Sequence, residues 1–234
     1  MKNRLSIQVL FLVSILTGSL LFTSCQKSGN NYSIGDFVVT FGIVESISKD
    51  GINSLRVKLD NGDKFIALEH SPHLDELKPD QRILINFAPY QDVVNSDLSK
   101  TIYGKINFVQ NILYKGILPL SAAINDSIGH DPIIVRDSWV TGDSILTIDF
   151  KFYTQGSLHY INLADNSQGN GKDKPFIFEL RHNARGDQMS YAASGYISFK
   201  LNSYKIAGLH NTPFKIRYTD YEGKLNEIPH MINY

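Results

Sequence analysis

Alternation of apolar and polar residues with a period of two is the feature that most constrains this chain. Leu146, Ile148, Phe150 and Phe152 alternate with Thr147, Asp149 and Lys151, and Phe176, Phe178 and Leu180 with Glu179 and Arg181. Ile197, Phe199 and Leu201 alternate with Ser198 and Lys200, and Phe214 and Ile216 with Lys215 and Arg217. Successive side chains of a strand point to opposite faces, so each segment buries one face and wets the other. Adding Ile133 to Val135 and Leu158 to Leu163 gives six or seven short strands, the pattern of an antiparallel β-sandwich over 132–234. The 13 Phe and 12 Tyr of the 234 residues suit pleated, half-buried surfaces and agree with an all-β chain.

The first half alternates as well. Val38, Thr40, Gly42 and Val44 share a face, and Leu55, Val57 and Leu59 lead into Asp60-Asn61-Gly62-Asp63, a hairpin signal whose type I′ form needs positive φ at both central residues. Lys64 to Glu69 returns. Ser71-Pro72 then opens a short helix through Leu77, with Ser71 at the N-cap and Asp75 and Glu76 early. Arg82 to Phe87 and Thr101 to Leu113 complete five strands with a helix after the third, the order of an OB-like barrel over 36–115. Residues 116–131, with Pro119 and Gly129, read as a linker, and Asn166 to Gly171 as a loop.

Ahead of these strands, Met1-Lys2-Asn3-Arg4 precedes an uncharged run from Leu5 to Ser24 that ends at Cys25, the sole cysteine. A basic start, an apolar stretch and small residues before a cysteine make 1–24 a signal peptide and Cys25 a lipidation site. An uncleaved signal anchor is the alternative, since such a run can just span a bilayer. Both readings put the remainder outside the cytoplasm. Residues 25–35 are polar, a flexible tether to a membrane. Without Lys2 and Arg4 the chain keeps 21 basic against 23 acidic residues, so nothing favours nucleic acid. One cysteine excludes an intramolecular disulfide.

Several stretches together resemble the NigD-like lipoproteins of Bacteroidetes-type bacteria. They are the lipobox, Leu77-Lys78-Pro79-Asp80-Gln81-Arg82-Ile83, Ile112-Leu113-Tyr114-Lys115, Asp131-Pro132-Ile133, Asp137-Ser138-Trp139-Val140 and Leu180-Arg181-His182-Asn183-Ala184. The resemblance covers essentially the whole mature chain and implies an N-terminal OB-like domain followed by a C-terminal β-sandwich. It further implies a lipoprotein and, through a bacteriocin locus, an immunity role with no residues attached. Pro79-Asp80 stands where an Asp-Gly or Gly-Asp turn is expected.

Catalytic signatures are missing: no HExxH and no GxSxG occur. His70 and His73 with Asp75 or Glu76 lack a third histidine-type ligand and read as a solvated helix start, so no metal and no cofactor are expected. Gly169-Asn170-Gly171 has no helix behind it and reads as a turn rather than a phosphate cradle. Arg185-Gly186-Asp187 reads as a hairpin turn. Two places break the regular alternation, Trp139 and the turn His182-Asn183-Ala184-Arg185. Trp139, His182 and Arg185 are therefore the candidate binding residues, in a groove between the two domains. Trp139 could equally act as domain glue. Asp126-Ser127-Ile128 and Asp143-Ser144-Ile145 fit an Asp-Ser/Thr-apolar acceptor, making Ser127 and Ser144 candidate O-glycosylation sites. The expectation is a non-enzymatic lipoprotein of the outer membrane, facing the periplasm and binding an unidentified partner, an envelope protein or a glycan. A glycan-binding accessory protein is the second reading and a hydrolase with a dispersed site the third.

Overall fold

In the computed structural model the described residues are 35–48, 55–69, 74, 76–167 and 174–233. The signal peptide, Cys25 and nearly all of the tether lie outside them, as do His70, Ser71, Pro72, His73 and Asp75 of the expected helix and most of the Asn166 to Gly171 loop.

Five strands make the first half: β1 (Val38–Ile47), β2 (Leu55–Leu59), β3 (Lys64–Ala67), β4 (Arg82–Val94) and β5 (Lys100–Lys115). They pair in the order β3-β2-β1-β4-β5, and a parallel β3–β5 ladder from Lys64↔Thr101 to Ala67↔Gly104 closes the ring. Closure needs bent strands, and register shifts lie between Val44 and Ser46 on β1 and between Pro89 and Gln91 on β4. Gly104 sits at a tight crossing, where a Cβ would stand 2.2 Å from the Ala88 carbonyl oxygen. Val44, Leu55, Val57, Phe65, Ile83, Ile85 and Phe87 fill the barrel, with Phe65 and Phe87 stacked at 4.1 Å. β4 runs on past the expected Phe87 to Val94, pairing Gln91 with Tyr103 and Val94 with Lys100, so that a hairpin turn over 95–99 joins it to β5 beside the β3–β5 closure. The β2–β3 turn differs from the type I′ expectation. Only Gly62 has positive φ, at 90°, and Leu59 N–H donates to Asp63 O, so the loop takes one left-handed residue instead of two.

Residues 116–131 do more than connect. They supply β6 (Leu118–Pro119), a one-turn helix α1 (Ala122–Asn125) and the buried Ile128. Beyond them run β7 (Ile134–Val140), β8 (Ile145–Thr154), β9 (Tyr160–Asp165), β10 (Phe176–Asn183), β11 (Tyr191–Lys200), β12 (Asn211–Thr219) and β13 (Leu225–Asn233). One layer, β11-β8-β7, continues the barrel sheet through β5, and the other is β13-β12-β10-β9-β6. Phe178, Phe199, Phe214, Leu146, Ile148 and Ile216, all in phase with the alternation, meet between them. The architecture is all-β, a five-stranded barrel joined to a β-sandwich. The sandwich is not wholly antiparallel: β10 runs parallel to β12, and β6 to β9. In the first layer, β11 runs parallel to β5 over Ile197↔Leu113 to Phe199↔Lys115, which ties the sandwich to the barrel. Parallel neighbours require crossover connections, here the long segments between β10 and β12 and between β5 and β11.

Candidate functional site

The seam between barrel and sandwich is built around Arg82. Its side chain is 0 % exposed, with Nε donating to Ser198 Oγ (3.3 Å), Nη2 to Thr147 Oγ1 (3.0 Å) and Asp60 Oδ2 (2.6 Å), and Nη1 to Asp60 Oδ1. Thr147 and Ser198 hydroxyls bond each other at 2.9 Å. A buried guanidinium is tolerated only when it is paired and hydrogen-bonded, and this one is clamped in a bidentate fork from the barrel and by two hydroxyls from the sandwich. Phe41 of β1 covers it at 5.3 Å and carries Trp139 (5.5 Å) and Tyr196 (5.0 Å) on its other contacts. Trp139 thus does meet the barrel.

Beside this anchor a groove of about 410 Å³ opens between barrel and sandwich. The barrel contributes Glu45, Lys58, Asp80 and Tyr114, and the sandwich Asp143 and Lys205. Lys58 Nζ reaches Asp143 at 2.7 Å across it, and Lys200 Nζ lies 4.8 Å over the Tyr114 ring. Burial, opposed by the nearby Arg82 charge, raises the Tyr114 phenol above its ordinary range, so it stays a neutral donor. Two residues at this groove hold left-handed backbone without being glycine: Asp80 (φ 66°) in the turn where an Asp-Gly was expected, and Ser144 (φ 59°) next to Asp143. Neither the Ser144 nor the Thr141 hydroxyl in that turn has a hydrogen-bond partner, and both are buried.

The second constellation lies within the sandwich. Asp187 Oδ2 accepts from Thr154 Oγ1 (2.6 Å), Gln155 N (2.8 Å), Ser157 N (3.2 Å) and His159 Nε2 (3.0 Å). His159 Nδ1 meets His182 Nε2 at 2.8 Å, and His182 Nδ1 meets Pro132 O at 2.8 Å. The carbonyl and the carboxylate are acceptors, so the outer nitrogens both carry protons. The inner contact needs a third proton, one more than two neutral imidazoles hold. Burial lowers the His182 pKa, opposed by its bond to the Pro132 carbonyl. Asp187 is held well below the usual carboxylate range, chiefly by the Thr154 hydroxyl and with help from these amides. His159 and Asp187 side chains are 2 % and 5 % exposed.

These positions separate the sequence candidates. Trp139 lies at the seam. His182 bridges Asp131 at the opposite end of β7 and is 1 % exposed. Arg185, exposed with φ 56°, caps the turn and stacks over Tyr160 at 5.5 Å. Ser127 is exposed, its Oγ donating to Ile124 O at 2.8 Å, while Ser144 is 1 % exposed, so a glycan there would require its turn to open. Arg82, Asp60 and His159 carry the geometry, although as sequence Arg82 marks only a strand start, Asp60 a turn and His159 a strand. Arg82 opens an apolar run in phase with Leu84, and only the sandwich arriving over that outer face makes the position interior. Among the described residues no group of three His, Cys, Asp or Glu side chains could hold a metal ion, and no helix is long and apolar enough to cross a membrane.

Residues 116–230 match the NigD-like C-terminal β-sandwich domain family. No curated protein matches the chain. Among solved structures, a provisionally named toxin-related protein of Parabacteroides distasonis is 28% identical, with a TM-score of 0.68 over 85% of this chain and 94% of that one. A NigD-like immunity protein of Bacteroides caccae is 20% identical (TM-score 0.58, 84% and 94% covered). A provisionally named lipoprotein of Bacteroides fragilis is 11% identical (TM-score 0.57, 85% and 98% covered). At these last two identities the likeness is one of fold.

Proposed function

We propose, from the premise that the chain belongs through residues 116–230 to the NigD-like C-terminal β-sandwich family, that it is a non-catalytic envelope lipoprotein that binds a protein partner in the groove between barrel and sandwich. The observation that carries this reading is the groove itself. It is polar, lined by both signs of charge from barrel and sandwich, and lies at the seam that the interior Arg82 clamp fixes. Rigidly fixed charges across a concavity favour recognition of a complementary charged surface.

Against catalysis stands the state of the Asp187, His159 and His182 chain. It has the composition of an acid-base relay, yet every ring nitrogen is bonded within the fold and both rings are buried, leaving none to reach a substrate. Its role is to staple β9, β10 and the segment before β7. Anchoring at Cys25 would hold the protein at the outer membrane facing the periplasm, and Ser127, exposed after α1, is the acceptor open to a glycan. A protective role against a toxin is compatible with the groove as its contact surface.

A photoactivatable residue at Glu45 or Asn202, introduced in cells, should crosslink one envelope protein, while the same residue at Glu222 in the β12–β13 turn should not. Charge reversal at Lys205 should abolish the adduct with the fold retained, read by circular dichroism. Crosslinks of equal yield at Glu222, or turnover of an envelope ester, peptide or glycan that vanishes on replacing His159, would end the proposal.

A further inference from the structure

We infer that the end of the barrel bearing the β4–β5 turn docks on the lipid surface to which the chain is anchored. The inference rests on the reading of Cys25 as the lipidation site. Antiparallel pairing places Val38 opposite Phe87, so the chain leading into β1 leaves the barrel in the direction in which β4 continues to Val94. The β2–β3 turn comes to the same end, where Asp63 accepts from Lys100 N at 2.7 Å. Residues 35–37, which lead into β1, and the β4–β5 turn therefore share one end of the barrel.

That end is apolar. Leu98 at the tip is 84 % exposed, Phe37 65 %, and Val93 and Val94 are exposed beside them. Val39 and Phe108, which flank Asn86 in one cross-strand row, extend the surface along the outer face. On β1 this is the same face as Phe41: the sandwich covers Phe41 and leaves Phe37 and Val39 uncovered. Leu98 also adopts φ 67°, a left-handed conformation suited to Gly or Asn, and gains no packing from it. A strained, fully presented leucine is a departure that folding alone does not explain.

Several polar groups of the turn bond within it. Asn95 N donates to Ser99 O and Leu98 N to Asn95 O, Asn95 Nδ2 reaches Ser99 Oγ, and Asp97 accepts from both Ser99 N (3.0 Å) and Ser99 Oγ (2.6 Å). Apolar side chains on such a turn can enter the boundary between headgroups and acyl chains while its remaining polar groups stay at headgroup level. Cys25 lies ten positions before Gly35, a reach of at most about 35 Å even if fully extended, which confines this end of the barrel near the bilayer and raises its effective concentration there. These arguments favour lipid over a second copy or a soluble partner.

The test uses the mature protein purified from cell membranes and reconstituted into vesicles of phosphatidylethanolamine and phosphatidylglycerol. Leu98→Cys and, as reference, Glu222→Cys carry an environment-sensitive fluorophore, with nitroxide quencher on the lipid chains; intact mass reports the modification of Cys25. The expected result is a lipidated chain whose label at position 98 is blue-shifted and quenched, a label at 222 that is neither, and loss of the quenching on adding Val94→Asp. An unmodified Cys25 would remove the anchoring premise and the docking with it. A lipidated chain whose label at 98 stays solvent-like would overturn the docking alone. A blue shift without quenching would assign the surface to a protein contact and likewise overturn it.

Discussion

Replacing Asp60 by alanine should cost more than neutralising the buried arginine it pairs with. Asp60 is 18 % exposed and Arg82 is 0 % exposed, so Asp60→Ala leaves an interior guanidinium with only two hydroxyls and the Phe41 face for company. Removing one partner of a buried ion pair costs about 3–5 kcal/mol, most of it the desolvated charge left behind. Partial exposure of the site lets water in beside the cation, so the lower end applies, about 3 kcal/mol. Arg82→Met keeps the stem volume and leaves a carboxylate that can turn to solvent, while Thr147 and Ser198 remain bonded to each other. Its cost should be about 1–2 kcal/mol, within the range of a single lost charged hydrogen-bond set. The double variant Asp60→Ala/Arg82→Met should lie near Arg82→Met alone. For a chain of this size about 3 kcal/mol corresponds to a fall in melting temperature of about 6–12 °C. Urea unfolding followed by fluorescence and by circular dichroism measures this directly. Trp139, the only tryptophan, sits 5.5 Å from Phe41 and reports on the seam, while the dichroism reports on all strands. In Asp60→Ala the fluorescence transition should come first, the seam opening before the sheets melt. A cost below about 1 kcal/mol for Asp60→Ala, on the scale of an exposed pair, or a cost smaller than that of Arg82→Met, would refute the reasoning.

Other expectations follow from the same contacts. Trp139→Ala should lower the melting temperature through loss of the Phe41 and Tyr196 contacts; unchanged melting with lost crosslinking would instead make Trp139 part of the binding surface. Asp187 has its pKa lowered on folding, so its stabilisation is full above the ordinary carboxylate range and is lost as pH falls below it; Asp187→Asn should flatten the stability-pH curve below about pH 4, read by urea titration. Gly104→Ala drives a Cβ against the Ala88 carbonyl and should destabilise by at least the 1–3 kcal/mol of core overpacking, visible as a lower urea midpoint. Phe178→Ala, at the sandwich centre, should cost about 3–5 kcal/mol in the same assay.

The sequence by itself determined the strands and their faces. Ile83, Ile85 and Phe87, and likewise Phe178 and Leu180, point inward because a period of two leaves no other way to bury them. It also determined most turns: Gly62 and the Arg185-Gly186 pair lie where the chain reverses with positive φ. Pairing partners are another matter. Alternation says that a face is buried but not against what, so the parallel neighbours β5 with β11 and β10 with β12 were not legible. The same limit hid the site. Arg82 occupies an outward position on β4, solvent-facing in an isolated barrel, and becomes the most buried charge only because Thr147 and Ser198, 65 and 116 positions later, arrive over it. His159 and Asp187 read as a strand histidine and a turn aspartate until the fold brings Asp187 against His159 and His159 against His182. Local pattern is written by near neighbours along the chain, whereas the burial of a charge and the matching of donors to acceptors depend on groups far apart in sequence, and only the tertiary structure brings those together.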